Sequence, residues 1–265
     1  MSADVPPGLS SGAHLEAVAS EVARRAAELV ARSAGQARAA ATKSSPTDVV
    51  TATDVESEAF IRCELLGRCP GSSIFGEELD DDRGSNAVEW IVDPIDGTVN
   101  FLYDLPVVSV SIAATIDRTV VAGAVTDIHR VETFSAALGT GARRSGGPIA
   151  PNAPETLEKA LIGTGFAYDA ALRAQQAEAL TRLLPSCRDI RCMGSAALNL
   201  CWVGCGRLDG YFERDLKIYD YAAGALIAAE AGATTELPAG NRIDLMIAAA
   251  GTIFDSLRLL SGADG

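Results

Sequence analysis

The sequence is poor in the residues that build zinc, non-haem iron and redox sites. It contains only 2 histidines, and its 6 cysteines include no C-x-x-C pair. Imidazole-rich metal centres, zinc ribbons and dithiol redox motifs are therefore disfavoured. We expect the cysteines to be reduced thiols of a cytoplasmic protein.

Long apolar runs and an excess of positive charge are also missing. No apolar stretch approaches the roughly 20 residues of a membrane-spanning helix, and no signal-peptide pattern opens the sequence. With 22 lysines and arginines against 35 acidic residues, the formal net charge is -13. This charge argues against nucleic acid or an anionic membrane as a main partner. Any affinity for an anionic ligand must then come from local cations and backbone amides.

The sequence does contain enough apolar residues for a large core. Hydrophobic residues make up 48% of its 265 residues, which suits one large domain or two subdomains that share a site. Residues 1–12 are rich in proline, glycine and serine and are predicted to be disordered. Residues 13–265 are predicted to form a single fold, with an antiparallel-sheet α+β half at 13–150 and an α/β half at 151–265.

The pattern of apolar residues supports this division. Three β-rich runs, at 107–116, 120–128 and 131–137, are separated by short connections, which is typical of an antiparallel meander. Between residues 161 and 231, short apolar runs alternate with helical patterns. Such alternation favours α/β layering with some parallel strands.

The candidate chemistry centres on residues 89–101, with the sequence EWIVDPIDGTVNF. Residues 90–92 form a short apolar run typical of a buried strand. We predict that this strand ends at Asp93, because Pro94 cannot extend a central ladder. Asp93 and Asp96 would then emerge together at the end of a buried strand. An ordinary polar turn explains the same residues, so a metal site needs support from elsewhere in the chain.

Two other segments supply that support. Glu77 and Glu78 follow the short apolar run at residues 72–76, and Glu213 ends another apolar run that leads to Asp220. Several carboxylates that share one cavity cannot all stay ionised unless cations neutralise them. With all-oxygen ligands and almost no histidine, a hard divalent cation is favoured, and magnesium is the first choice.

These segments resemble the three signatures of the inositol monophosphatase family. The matching motifs are GEE at 76–78, WIVDPIDGTVNF at 90–101 and YDYAAG at 219–224. The resemblance, to the bacterial inositol-1-monophosphatase type, implies a layered α-β-α-β-α sandwich, magnesium dependence, lithium sensitivity and a homodimer. It implies hydrolysis of inositol monophosphate to myo-inositol and phosphate by a metal-activated water.

The metal hypothesis and the resemblance together assign roles to single residues. The metal ligands assigned in this way are Glu77, Asp93, the carbonyl of Ile95 (from the resemblance alone), Asp96 and Asp220. Thr98 with Asp54, aided by Glu77, would orient and deprotonate the attacking water. The substrate-binding residues assigned are Asp96, Gly97, Thr98, Gly194, Ser195, Ala196, Glu213 and Asp220.

The local sequence offers purely structural explanations for two of these assignments. Thr53 and Glu56 match a capping box that would start a helix running to about Leu66, and Asp54 would then only complement the helix dipole. The Gly194-Ser195 pair is equally typical of a helix N-cap. The resemblance favours a catalytic role for Asp54 and a substrate contact at residues 194–196.

Two departures from the family pattern leave the substrate open. Tyr219 stands where the family usually has tryptophan, and residues 235–244 lack a glycine-rich hairpin pattern. Histidinol phosphate, fructose 1,6-bisphosphate and a 3'-phosphonucleotide are alternative substrates, although no cluster of basic residues for a second phosphate is evident. A non-catalytic regulator that binds a protein partner is the rival from another class, and the presence of all expected ligands disfavours it.

Overall fold

The structure is a computed structural model that describes residues 11–35, 39–42, 49–238 and 244–262. The α-helices are α1 (Gly12–Arg32), α2 (Ala52–Arg68), α3 (Thr98–Leu102), α4 (Ala170–Leu183), α5 (Ala196–Gly204), α6 (Ile218–Ala231) and α7 (Phe254–Leu260). The strands are β1 (Ala39–Thr42), β2 (Val49–Thr51), β3 (Ser73–Gly76), β4 (Val88–Asp96), β5 (Ser109–Ile116), β6 (Thr119–Asp127), β7 (Glu132–Ala137), β8 (Ala142–Arg144), β9 (Gly147–Pro148), β10 (Leu161–Thr164), β11 (Asp189–Cys192), β12 (Gly210–Arg214), β13 (Thr234–Glu236) and β14 (Leu245–Ala249).

Two large sheets organise the described chain. The first has seven strands in the order β3-β4-β5-β6-β7-β8-β9, with β3 parallel to β4 and the other neighbours antiparallel. The predicted meander is confirmed as β5, β6 and β7. The second has five strands in the order β11-β10-β12-β14-β13, and β10 runs parallel to both β11 and β12. The predicted mixture of helices and partly parallel strands is therefore confirmed in the second half.

Helices lie on both faces of each sheet, which gives five layers. Helices α1 and α2 share an apolar cluster with Trp90 and Val92 of β4. The alternate residue Ile91 joins a second cluster with α5, α6 and residues of the five-stranded sheet. The far face of that sheet packs against residues of α4 and α7. Because successive side chains of a strand point to opposite faces, burial on both faces explains the continuous apolar run of β4.

Strand β4 continues past the predicted end. Asp93 pairs with Ser111, and Asp96 pairs with Ser109, so the register shifts between them. Pro94 lies inside this irregularity, where a missing N–H is tolerated. The prediction that the strand stops at Asp93 is wrong, because a bulge accommodates the proline. The bulge keeps both aspartates on the same strand at the edge of the cavity.

The capping box of α2 lies two residues earlier than predicted. The helix begins at Ala52, with Thr51 as its N-cap and Asp54 at the third helical position. The backbone N–H of Thr51 donates to Asp54 Oδ2 at 2.9 Å, whereas Glu56 is exposed. The predicted Thr53–Glu56 box is therefore wrong.

The predicted divisions of the chain fall partly on undescribed residues. Residues 1–10 of the predicted disordered start lie outside the described residues, whereas Ser11 caps α1 by accepting from the His14 N–H at 3.2 Å. The border at residue 150 falls between β9 and β10, and the two-half division stays a prediction. Residues 239–243 of the atypical 235–244 segment are also outside the described residues. Of the helices described, none is long and apolar enough to cross a bilayer. All six cysteines are free thiols.

Candidate active site

A cavity of about 370 Å³ opens where the end of β4 meets the first turns of α5 and α6. The predicted site residues that line it are Glu77, Asp93, Ile95, Asp96, Gly97, Thr98, Gly194, Ser195, Ala196, Glu213 and Asp220. Asp54 is the one predicted site residue that does not line this cavity. It is connected to the cavity through Thr98, whose hydroxyl donates a hydrogen bond to Asp54. The structure therefore brings the predicted residues together, and their individual roles stay predictions.

The acidic side chains of the cavity act strongly on one another. Burial raises the pKa of Asp93 well above its usual value, and the charges of Glu77, Asp96 and Asp220 raise it further. A side-chain hydrogen bond also links Asp93 to Glu77. Burial, followed by the charge of Glu77, likewise raises the pKa of Asp220. These carboxylates come from three separate segments and are close enough to disfavour one another's ionisation.

The donor chemistry of this cluster fits a hard divalent cation. Among the described residues, no group of three or more histidine, cysteine or acidic side chains already has the arrangement of a metal site. Buried carboxylates that raise one another's pKa gain a neutralising charge when a cation binds. Carboxylate and carbonyl oxygens are the ligands that magnesium and calcium prefer.

Asp96 is held by the beginning of α5. Its Oδ1 accepts from the Ala196 N–H at 3.1 Å, and its Oδ2 accepts from the Ala197 N–H at 2.9 Å. The hydroxyls of Ser195 and Ser109 also donate to Oδ2. Burial raises the pKa of Asp96, and these hydrogen bonds act in the opposite direction. The N-terminus of α5 therefore supports the ionised form of this carboxylate.

Ser195 has a second contact that explains how it serves the helix. Its hydroxyl accepts from the Leu198 N–H at 3.2 Å, so Ser195 caps α5. The capping explanation for the Gly194-Ser195 pair is thus correct. Because the same residue lines the cavity and binds Asp96, the cap also forms part of the candidate site.

Asp54 likewise combines the two explanations offered for it. Its Oδ2 accepts from the backbone and hydroxyl of Thr51 and so caps α2. Its Oδ1 accepts from the Thr98 hydroxyl at 3.1 Å. The Thr98 hydroxyl also lies 3.0 Å from the carbonyl oxygen of Ile95. The start of α2 therefore fixes the threonine of the central motif.

Gly97 allows the central motif to approach the segment before α5. Its φ is +98°, in the left-handed region, which favours glycine. A Cβ at this position would lie 2.9 Å from the Val107 carbonyl and 3.0 Å from the Gly194 carbonyl. The side chain of Asn100 reinforces this contact by donating to the carbonyls of Val107 and Met193. Asn100 was not singled out from the sequence.

Glu213, on β12, also lines the cavity. The Tyr211 hydroxyl donates to Glu213 Oε2 at 2.5 Å. Burial raises the pKa of Glu213 to about 7, although the Tyr211 hydrogen bond acts to lower it and the charge of Asp96 to raise it. Near neutral pH this side chain is thus divided between its charged and neutral forms.

Comparisons with known proteins settle the family. The sequence model of the inositol monophosphatase family matches residues 12–259, which is nearly the whole chain. The chain belongs to the inositol monophosphatase family. This result confirms the resemblance seen in the three motifs.

Two relatives and one solved structure illustrate the similarity to other family members. An inositol-1-monophosphatase of Mycobacterium leprae is 45% identical over 243 residues, which cover 87% of this chain and 82% of that protein. The protein called Nus factor SuhB in Haemophilus influenzae is 36% identical over 228 residues, covering 84% and 85%. The structure of Mycobacterium tuberculosis SuhB superposes with a TM-score of 0.83 at 41% identity, covering 95% of this chain and 97% of that one. The layered fold predicted from the resemblance is confirmed.

Tyr219, which directly precedes Asp220, lies beside the acidic cluster. Its ring stacks on Phe75 with 6.3 Å between ring centroids and 27° between the ring planes. Burial, then the charges of Glu77 and Asp220, raises the pKa of Tyr219. The tyrosine therefore remains neutral beside the candidate metal ligands, although it does not itself line the cavity.

A buried polar face of α2, which was not predicted from the sequence, supports this family site. The Ser57 hydroxyl donates to the Pro94 carbonyl at 3.2 Å, and Glu58 accepts from the Glu78 N–H at 2.7 Å. Arg62 is buried beside Glu58. With Asp54, these residues follow the i, i+3, i+4, i+8 spacing of one helix face. That spacing of polar residues in an otherwise core-facing helix was the signal available in the sequence.

Proposed function

We propose that this chain is a magnesium-dependent phosphomonoesterase that hydrolyses inositol monophosphate to myo-inositol and phosphate. The supporting observation is the convergence of Glu77, Asp93, Asp96 and Asp220 on one cavity, where burial and mutual repulsion raise carboxyl pKa values. Such perturbed groups in a cleft are typical of functional sites. Relatives named inositol-1-monophosphatase, at 45% identity, support the substrate.

The chain offers oxygen ligands for the metal from three segments. Glu77, Asp93, Asp96 and Asp220 would hold it together with the Ile95 carbonyl. That carbonyl oxygen lies 3.0 Å from the Thr98 hydroxyl, and a lone pair stays available to a cation even when the other accepts from Thr98. Magnesium, when bound, supplies positive charge that offsets these carboxylates and the phosphate of the substrate.

Thr98 and Asp54 would orient the attacking water. Because Thr98 donates its only hydroxyl proton toward Asp54 or Ile95, its oxygen is left to accept a hydrogen bond from water. A water held in this way would be the nucleophile that attacks the phosphorus. Glu77, on the neighbouring loop, would assist in removing its proton.

The remaining residues of the cavity would hold the substrate. The backbone N–H groups of Gly97 and Thr98, at the start of α3, would contact phosphate oxygens. Glu213 and residues 194–196 would contact the hydroxyls of the polyol. Glu213 accepts such hydrogen bonds in its ionised form, which increases as the pH rises through about 7.

A phosphate-release assay tests the proposal directly. With inositol 1-phosphate as substrate, the purified chain should release phosphate in Mg²⁺ and lose this activity in EDTA. Lithium should inhibit, as the family resemblance implies. Failure to hydrolyse any phosphomonoester in saturating Mg²⁺ would leave only the rival of a non-catalytic regulator.

One observation supports a second group of substrates. Arg173 of α4 lines the cavity together with Glu213, and its exposed side chain has no ion-pair partner among the residues whose placement the structure describes. A cation at this wall would suit a second anionic group on the leaving alcohol, as in fructose 1,6-bisphosphate. Rates for fructose 1,6-bisphosphate, histidinol phosphate and a 3'-phosphonucleotide, measured beside inositol 1-phosphate, would rank the candidates.

The partners and location expected from the sequence belong to the same proposal. We propose a homodimer in the cytoplasm whose main partner is a small phosphorylated polyol. Light scattering of the purified chain would test the dimer.

A further inference from the structure

We propose that the buried pair Glu58 and Arg62 on α2 holds Glu77 in position and thereby sets the affinity of the site for Mg²⁺. This inference rests on the proposed function, in which Glu77 is a metal ligand. It concerns two positioning residues, since neither side chain lines the cavity that would hold metal and substrate.

Glu58 binds the backbone directly after Glu77. Its side chain is fully buried. Oε2 accepts from the Glu78 N–H at 2.7 Å, and Oε1 accepts from the Leu79 N–H at 3.2 Å. Two consecutive backbone N–H groups are therefore held by one carboxylate, so the peptide that follows Glu77 has a fixed orientation.

Arg62 ties the rest of the same loop to this carboxylate. Its Nε donates to Glu58 Oε1 at 2.9 Å, and Nη2 donates to the Leu79 carbonyl at 3.1 Å. Its Nη1 donates to Asp82 Oδ2 at 2.7 Å. Asp82 in turn exchanges two backbone hydrogen bonds with Ile74, at 2.9 and 3.0 Å. The loop is thus anchored both directly after Glu77 and at its far end.

Gly76 shows how closely the pair approaches the backbone before Glu77. A Cβ at this position would lie 2.0 Å from Glu58 Oε1 and 2.8 Å from Arg62 Nη2. Any other residue here would push the charged side chains away. The arrangement therefore requires the absence of a side chain next to the candidate ligand.

General stabilisation explains this pair poorly. Burying two charges costs solvation, and a well-packed apolar substitute is often as stable or more so. The hydrogen bonds described above lead instead to residues 78–82, the loop that follows Glu77. Residues that orient a metal ligand commonly change metal affinity 10- to 100-fold when substituted. The contacts of Glu58 and Arg62 are those expected of residues that orient a metal ligand.

The test compares Glu58→Gln and Arg62→Lys with a matched change on the same helix. Glu58→Gln keeps the size of the side chain but replaces one acceptor oxygen by a donor group that faces other donors. The control is Glu64→Gln, because Glu64 is a half-buried α2 residue whose ion pairs are with Arg25 and Arg68. Mg²⁺ binding is measured on the full chain by titration calorimetry, and the Mg²⁺ dependence of phosphate release is measured in parallel.

We expect the Kd for Mg²⁺ to rise about 10-fold or more in Glu58→Gln and Arg62→Lys. The rate at saturating Mg²⁺ should change much less, since the groups that touch substrate are retained. Glu64→Gln should bind Mg²⁺ like the wild type. Melting temperatures in EDTA identify any purely structural effect.

Three results would overturn the inference. One is wild-type Mg²⁺ affinity in folded Glu58→Gln and Arg62→Lys. Another is a lowered melting temperature in EDTA with no change in Kd. If Glu58→Gln does not fold, Gly76→Ala serves in its place, and wild-type affinity in that variant is the third. A wild-type chain that binds no Mg²⁺ would instead refute the proposed function itself.

Discussion

Asp93 is a buried residue on which burial and neighbouring charges act in the same direction. Burial, then the charges of Glu77, Asp96 and Asp220, raises its pKa. The ionised form that would bind a metal is therefore unfavourable in the metal-free fold. A buried carboxylate of this kind lowers the stability of the metal-free fold, which is a common cost of a functional site.

Replacing Asp93 by asparagine should separate function from stability. We expect Asp93→Asn to lose magnesium-dependent turnover and to remain folded. Without metal at pH 8, it should be more stable than the wild type, because the repulsion among the buried carboxylates is reduced. Phosphate release and urea unfolding in EDTA measure the two effects. Asp117→Asn, in an exposed turn, is the control, and wild-type turnover in Asp93→Asn would refute the ligand assignment.

Thr98 should affect the rate more than metal binding. Thr98→Ala removes the hydroxyl that contacts Asp54, and we expect kcat to fall about 10²- to 10⁴-fold, the usual range for positioned proton transfer. The Mg²⁺ concentration for half-maximal activity should change little. Thr98→Ser keeps the hydroxyl and should retain most of the rate. Equal loss in both variants would show that the methyl group, not the hydroxyl, is needed.

Among the elements, α5 has an N-cap residue, Ser195, that both stabilises the helix and contacts a carboxylate of the candidate site. Ser195 accepts from the Leu198 N–H and donates to Asp96. Loss of an N-cap costs about 1 kcal/mol, and loss of a donor to a buried carboxylate adds a similar or larger amount. The same side chain therefore contributes to helix stability and to the state of Asp96.

Ser195→Ala should consequently differ from an ordinary cap removal. We expect a loss of about 1–3 kcal/mol in urea unfolding, with reduced activity at limiting Mg²⁺. Ser11→Ala removes the cap of α1 and should reduce stability without changing Mg²⁺ dependence. Identical Mg²⁺ dependence in the two variants would argue against a role for Ser195 beyond capping.

Much of this arrangement of elements was predictable from sequence. The meander and the alternating second half follow from apolar periodicity, and the acidic segments follow from acids placed after short apolar runs. The path of β4 through Pro94 could not be predicted from sequence, because a bulge depends on pairing with β5. The true capping box was missed because Thr53 and Glu56 fit the same pattern as Thr51 and Asp54. The partners of Glu58 are backbone amides about twenty positions away, which no local pattern reveals.

For the whole molecule, the carboxylates of the cavity are part of a formal net charge of -13. Burial is the first cause of the raised pKa values of Asp93, Asp96, Asp220 and Glu213. The folded chain then binds more protons than the unfolded chain above pH ~4. The contribution of these four groups to the stability of the metal-free fold is therefore greatest below the pKa values that they have in the unfolded chain. This contribution is lost as the pH rises through their pKa values in the fold.

Glu213 gives this pH dependence a measurable size. Its pKa changes from 4.5 in the unfolded chain to about 7 in the fold, so between pH 5 and pH 8 it should lower the free energy of unfolding by about 2–3 kcal/mol. Glu213→Gln should flatten this part of the decline in EDTA. Glu89→Gln, on the exposed side of β4, should not. An unchanged pH profile in Glu213→Gln would contradict the raised pKa.

Magnesium should reverse the effect of pH on the whole molecule. Metal binding requires ionised carboxylates and therefore strengthens as they lose protons. We expect saturating Mg²⁺ to stabilise the chain more at pH 8 than at pH 5. Thermal unfolding at both pH values, with Mg²⁺ and with EDTA, measures this difference. Equal stabilisation at the two pH values would indicate that Mg²⁺ does not bind through these groups.

The contacts between α2 and the loop after β3 also matter for engineering. Grafting residues 76–82 onto another scaffold would transfer Glu77 together with its backbone, but Glu58 and Arg62 would stay behind on the helix. A transplant, or a chimera of two relatives joined between residues 68 and 73, should therefore work only when helix and loop come from the same parent.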